Sequence, residues 1–133
     1  MSKKNRIATY IKTAIEEIEL AEQMSEPITE AEDFGKNLNG MTIFRACSMS
    51  IQCITENFTK VRDNTKSGFF KKYNSIPWNG VFGMRNFIAH EYSNVDEEAI
   101  FTTIKEDLPL LKEVSKQILD DLQNGLLDNF IEV

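Results

Sequence analysis

The sequence predicts an all-α protein: a single domain over residues 1–133, built as a bundle of four to six helices. Three observations predict it. Apolar residues recur at every third or fourth position through several long segments. No stretch alternates apolar and polar residues as a half-buried strand would. Clusters of Pro, Gly and Asn, the residues that stop helices, fall between the periodic segments. With 133 residues, the chain is long enough for one sizeable core.

Taken in order, the first element is an amphipathic helix over residues 5–24, with Ile7, Ile11, Ala14, Ile15, Ile18 and Ala21 as its buried stripe. Ser25-Glu26-Pro27 ends it. Thr29 is placed to cap a short helix running to Leu38, with Glu32 completing a capping box. Asn39-Gly40 reads as a turn. A long central helix follows over residues 41–62, burying Ile43, Phe44, Cys47, Ile51, Ile54 and Phe58. Residues 64–76 read as an irregular connection broken at Gly68. Its aromatics Phe69, Phe70 and Tyr73 either stack nucleobases or, the commoner use, tuck the loop onto the core.

Pro77 opens the next helix near its first turn, with Trp78 as its core or interface anchor. Asp96 caps the final helical region, and Glu97 and Glu98 complement its dipole. Ile100, Ile104, Leu108, Leu111, Val114, Ile118 and Leu122 form the apolar stripe there. Pro109 predicts a kink, with Asp107 re-capping the second half. Asn124-Gly125 stops the helix and residues 126–133 form a tail placed to dock.

Composition narrows the function. No run of about 18 apolar residues is present to span a membrane. The basic start lacks the apolar segment of a signal peptide, so a cytoplasmic protein is expected. Cys47 and Cys53 stand six apart on one helix and point in different directions. They read as plain buried thiols, not a disulfide or a metal pair. With one His and no Cys-x-x-Cys, neither a metal nor another cofactor is expected.

The net charge of −6 argues against a general nucleic-acid binder, yet its distribution is uneven. Lys60, Arg62, Lys66, Lys71, Lys72 and Arg85 face Asp63 alone, a local balance of +5 against −11 elsewhere. The run either draws in a phosphate-bearing substrate, with Lys71 and Lys72 as candidate contacts, or merely solvates a loop.

The stretch Gly83-Met84-Arg85-Asn86-Phe87-Ile88-Ala89-His90-Glu91-Tyr92 holds the single His of the chain. His90 is therefore the side chain suited to proton transfer near neutral pH. Wound as a helix, the stretch puts Val81, Met84, Phe87 and Ile88 on a core arc. Arg85, Ala89 and Tyr92 share a second arc, with Asn86 and His90 beside it, on what reads as the face away from the core. A lone His beside an Arg also fits an ordinary surface or cap.

This segment, preceded by Ile76-Pro77-Trp78 and followed by Val95-Asp96 and Glu106-Asp107-Leu108-Pro109, resembles the Arg-x4-His-x-Tyr signature of HepT-type proteins, of the HEPN superfamily of small helical ribonucleases. The resemblance is close over residues 76–114 and looser before. It implies an up-and-down HEPN-type bundle, homodimeric, acting as a metal-independent endoribonuclease toxin. Arg85 and His90 match the family's catalytic pair. Tyr92 matches the tyrosine that receives AMP from a small partner nucleotidyltransferase, the antitoxin. Glu56 falls where the family often has Ile-Gly-Glu-Ala; here the run is Ile54-Thr55-Glu56-Asn57, which keeps the acid but not its small neighbours. Glu56 then serves either the chemistry or an ion pair with Arg85.

The chemistry fits those residue types. When the 2′-hydroxyl of RNA attacks its own phosphorus, a base must take the hydroxyl proton and an acid must protonate the leaving oxygen. A cation must also hold the charge that develops. His90 supplies one proton-transfer group, and Arg85 offers a planar fork for phosphate oxygens. Asn86, one turn before His90, orients its ring or binds substrate. One His cannot be base and acid at once, so two chains sharing a cleft are expected independently of the resemblance. The alternative is a non-catalytic helical companion of a nucleotidyltransferase, which the acidic total charge favours.

Overall fold

The computed structural model describes residues 1–90 and 97–131, with side chains described through Met84 and again from Glu97. Every regular element among them is helical. Helix α1 (Lys3–Met24) starts under Ser2, whose hydroxyl accepts the Asn5 N–H at 3.1 Å, and ends at Ser25. All six apolar positions expected on its stripe are buried.

The second element differs from expectation. A single 3-10 turn, Ala31–Gly35, replaces the short α-helix, and its capping box joins Glu30 to Asp33 instead of Thr29 to Glu32. Thr29 is a donor here. The Asp33 carboxylate accepts from the Thr29 amide at 2.9 Å, the Thr29 hydroxyl at 3.1 Å and the Glu30 amide at 3.2 Å. These bonds, with Lys36 beside them, hold Asp33 far below the usual carboxylate range.

Helix α2 (Leu38–Asp63) begins before the predicted boundary, because Asn37 caps it by accepting the Gly40 N–H at 2.8 Å. Asn39-Gly40 is thus part of the first helical turn. Gly40 serves close packing: a Cβ there would stand 2.1 Å from the Asp33 carbonyl oxygen. Cys47, Ile51, Ile54 and Phe58 are buried, and Ile43 and Phe44 pack half-buried against them. α1 and α2 form the most extensive helix pair.

Gly68, at φ +99°, turns the chain into a second 3-10 segment, Phe69–Tyr73. Phe69 and Tyr73 are buried, and Phe70 lies against Trp78 with ring centres 4.3 Å apart. These aromatics tuck the connection onto the core and are not a stacking platform for bases. Tyr73 donates its hydroxyl to Asp121 at 2.6 Å, and Trp78 donates its indole N–H to the Tyr73 carbonyl at 2.9 Å.

Helix α3 (Trp78–His90) opens on the Pro77 carbonyl, which accepts from Gly80 and Val81 at 2.8 and 3.1 Å. It runs antiparallel to α2, since Thr55 meets Val81 while Phe58, farther along α2, meets Trp78 at the start of α3.

The last helical run comprises α4 (Glu97–Thr102), a π-helical segment (Thr103–Asp107) and α5 (Leu108–Gln123). The expected cap Asp96 lies outside the described residues. Pro109 lacks the N–H that would bond the Lys105 carbonyl. The chain adjusts by widening the turn: Leu108 N–H reaches back five residues to the Thr103 carbonyl. Asp107 makes no side-chain cap bond, so the expected re-capping is not how the break is managed. Ile100, Ile104, Leu108, Leu111, Ile118 and Leu122 are buried as expected, with Val114 partly so.

The side chains sort into two apolar clusters. One joins α2, α3, α4, the start of α5 and Ala14, Ile18 and Ala21 of α1; the other joins Ile7, Ile11 and Ile15 of α1, Val61 at the end of α2, the Phe69–Tyr73 segment, the rest of α5 and the tail. Phe70, Trp78 and Val114 touch both. After Gly125 (φ +78°) the tail docks: Leu127 is fully buried, Phe130 packs on Phe69, and the Phe130 carbonyl accepts the Lys66 N–H at 2.7 Å.

Candidate active site

Helix α3 carries Arg85, Asn86 and His90 on its described backbone; their side chains, and Tyr92 entirely, lie outside the described residues. The first half of α3 sets its orientation. Val81 is buried, and Trp78 and Phe82 are packed against the core cluster. On a helical wheel Trp78 and Phe82 share the arc of Arg85 and Ala89. That arc, expected to face away from the core, is turned toward α2 in this half of the helix. The Arg85 position follows one turn after Val81, and in the antiparallel pair it falls level with residues 51–52 of α2.

Thr55 fixes this pairing. It is fully buried, and its hydroxyl donates a short hydrogen bond to the Val81 carbonyl. Thr55, the neighbour of Glu56, therefore bolts α2 to α3. Glu56 itself is half-buried and accepts from Gln52 Nε2 at 3.4 Å. With Thr59, Lys60 and Asp63 it lines a depression of about 300 Å³ on the outer side of α2.

The basic run does not form one patch. Lys60 leans over the Tyr10 ring on α1, 5.6 Å from its centre. Arg62 leans the other way, its guanidinium 4.6 Å from the centre of the Phe82 ring on α3. Lys71 and Lys72 are exposed on the Phe69–Tyr73 segment. In the sequence Arg62 stands out only as one charge of the run. Its spacing, four residues after Phe58 and seven after Thr55, puts it on the α2 face that meets α3, and that signal was available.

Cys47 and Cys53 are free thiols. Burial pushes Cys47 up to about 11. Cys53 is raised by burial and by the nearby Glu17 and Glu56 charges. Among the described residues no three His, Cys, Asp or Glu side chains gather as metal ligands, and no helix is long and apolar enough to cross a membrane. An apolar cleft of about 210 Å³ separates α3 from α5, lined by Ile76, Pro77, Val81, Met84 and Leu111 with Asp107 at its edge. Burial and the Glu106 charge raise the Asp107 carboxyl above its ordinary value.

Comparison with known proteins adds to this geometry. Residues 14–118 match the profile described as ribonuclease HepT-like. A candidate RNase of Caldanaerobacter subterraneus is 30% identical over 110 residues, covering 83% of this chain and 91% of the relative. The "Probable ribonuclease HepT" of Thermococcus cleftensis is 27% identical over 103 residues, 77% of this chain and 86% of that one. A Methanocaldococcus jannaschii protein named as a gamma-glutamylcyclotransferase and candidate RNase is 28% identical over 119 residues. That match covers 90% of this chain but only half of the longer relative. No solved structure matches the chain significantly.

Proposed function

This chain belongs to the ribonuclease HepT-like family, and from that membership we propose that it is a metal-independent endoribonuclease, the toxin of a pair whose antitoxin is a small nucleotidyltransferase. The observation that carries the reading is the family match over residues 14–118, which includes Arg85 and His90 on the one helix α3. In the proposed reaction the 2′-hydroxyl attacks the adjacent phosphorus, Arg85 holds the phosphate oxygens, and His90 transfers a proton. Asn86 orients the imidazole, and Glu56 and the Lys71–Lys72 pair support the substrate.

A second proton-transfer group comes from a second copy of the chain. What supports this is the single His of the sequence and the outer face of α2, where Leu38, Met41 and Met49 are exposed on the same side as Gln52 and Glu56. Tyr92, seven residues after Arg85, is the proposed acceptor of AMP. An added anionic phosphate would compete for Arg85, and the adenosine would fill the cleft.

The test is cleavage of RNA by purified protein in the presence of a chelator. The expected products end in 2′,3′-cyclic phosphate, with DNA left uncut. Arg85→Ala and His90→Ala should each abolish cleavage with helical circular dichroism unchanged; cleavage that survives His90→Ala overturns the mechanism. Light scattering should give about twice the 15.3 kDa chain mass, and a monomer across micromolar concentrations removes the shared cleft. Incubation with ATP, Mg²⁺ and the nucleotidyltransferase should add AMP to Tyr92 and silence cleavage. Unchanged mass, or full activity after modification, defeats the switch.

A further inference from the structure

Among the described residues, Arg62 is a cation that the fold brings against α3. Helical side chains lean toward their own N-terminus. In the antiparallel α2–α3 pair that lean brings Arg62 and Phe82 together, although Arg62 lies seven residues beyond Thr55, the partner of Val81. The guanidinium rests 4.6 Å from the Phe82 ring centre, and its Nε donates to Asp63 at 3.2 Å. One edge of the fork is thus engaged and one face is stacked. The side chain still keeps 48% of its surface open.

An arginine held in this way has already lost much of its rotamer freedom, so a phosphate meets a pre-set fork. Phe82 precedes Arg85 by three residues, a rise of about 4.5 Å along α3. That is comparable with the axial rise per nucleotide of a stacked strand, roughly 3.4 Å. Three other cations of the run are placed differently: Lys60 is turned to α1, and Lys71 and Lys72 sit on the separate Phe69–Tyr73 segment.

We propose that Arg62 is a substrate-binding residue, holding the RNA phosphate next to the one that is cleaved. This rests on the ribonuclease reading above. It assigns Arg62 binding of the flanking backbone, with no part in proton transfer.

The experiment uses the full chain carrying Arg62→Met, which keeps an apolar stem over Phe82 while removing the charge, with Arg62→Gln as a second neutral variant and Arg62→Lys as the conservative one. Binding of a fluorescein-labelled 2′-O-methyl RNA oligonucleotide is followed by anisotropy at several KCl concentrations, beside steady-state cleavage of the same sequence as RNA. Removing one phosphate contact should lower the slope of log K against log salt by about 0.7. KM should rise several-fold with kcat little changed, and Arg62→Lys should recover part of the loss. An unchanged salt slope and KM in both neutral variants, with the wild type active, overturns the role of Arg62 alone. A wild-type chain that neither binds nor cuts RNA overturns both this role and the ribonuclease reading.

Discussion

Replacing Thr55 by Val tests what joins the helix of Arg85 and His90 to the rest of the bundle. Valine has the shape of threonine, keeps its β-branch and has similar helix propensity. The substitution therefore removes little besides the hydroxyl, which is fully buried and donates to the Val81 carbonyl. That carbonyl has two lone pairs, one of them served by the helical ladder, so losing the second bond leaves it partly satisfied. The expected cost is that of one net hydrogen bond, about 1 kcal/mol. For a chain of 133 residues, an unfolding entropy of roughly 2.1 cal/mol/K per residue makes this a fall in Tm of about 4 °C. Scanning calorimetry of the wild type, Thr55→Val and Thr55→Ser separates the two contributions. Serine keeps the donor and loses the methyl, so its loss reports packing. If Thr55→Val melts at or above the wild-type temperature while Thr55→Ser melts lower, the hydroxyl bond contributes nothing and the reasoning is refuted.

Gly40→Ala should destabilise by about 1–3 kcal/mol, because the added Cβ overlaps the Asp33 carbonyl and this outweighs the roughly 1 kcal/mol gained in helix propensity. A higher Tm would show that the α2 start yields easily. Leu127→Ala should cost about 2–5 kcal/mol as a cavity in the second cluster, read from urea unfolding; a loss below 1 kcal/mol would mean that the tail is not part of the cooperative unit. Stability should also fall in alkali. Burial holds Cys47 up at about 11, and burial with Asp121 raises Tyr73 above the usual phenol range. The unfolded chain releases these protons first, so the native state binds more of them. The Cys47 contribution is full below about pH 8.5 and is lost as pH rises through about 11. Cys47→Ala should flatten that part of the curve, and a wild-type unfolding free energy that stays level from pH 9 to 11 contradicts the assignment.

What the sequence could reveal was set by the range of each interaction. The stripe from Ile7 to Ala21 is a local periodicity, and every position of it is buried. The break at Pro109 was visible because a missing donor is a property of one residue. Its resolution as a π-helical turn bonded from Leu108 to Thr103 depends on how Ile104 and Leu108 must both reach the core. Gly40 looked like a turn because Asn-Gly so often is one; its real constraint, the Asp33 carbonyl, comes from another element. The same holds at the site. Arg85, Asn86 and His90 form a motif on one helix and could be picked out by spacing. Thr55 and Arg62 acquire meaning only when α2 is laid antiparallel against α3.

The docked tail bears on when the molecule becomes whole during synthesis. Leu127 shares one apolar cluster with Ile7 and Ile11, and Asp128 pairs with Lys4 at 2.9 Å. Contacts spanning so much sequence carry a large loop-closure entropy and are slow to form. While the ribosome still holds residue 127, that cluster lacks a wall, even though α1 and α2 are free to pair. Completion of the fold is thereby deferred until translation has passed the tail. A fold closed this way stays open at its second cluster until residue 127 is free to pack.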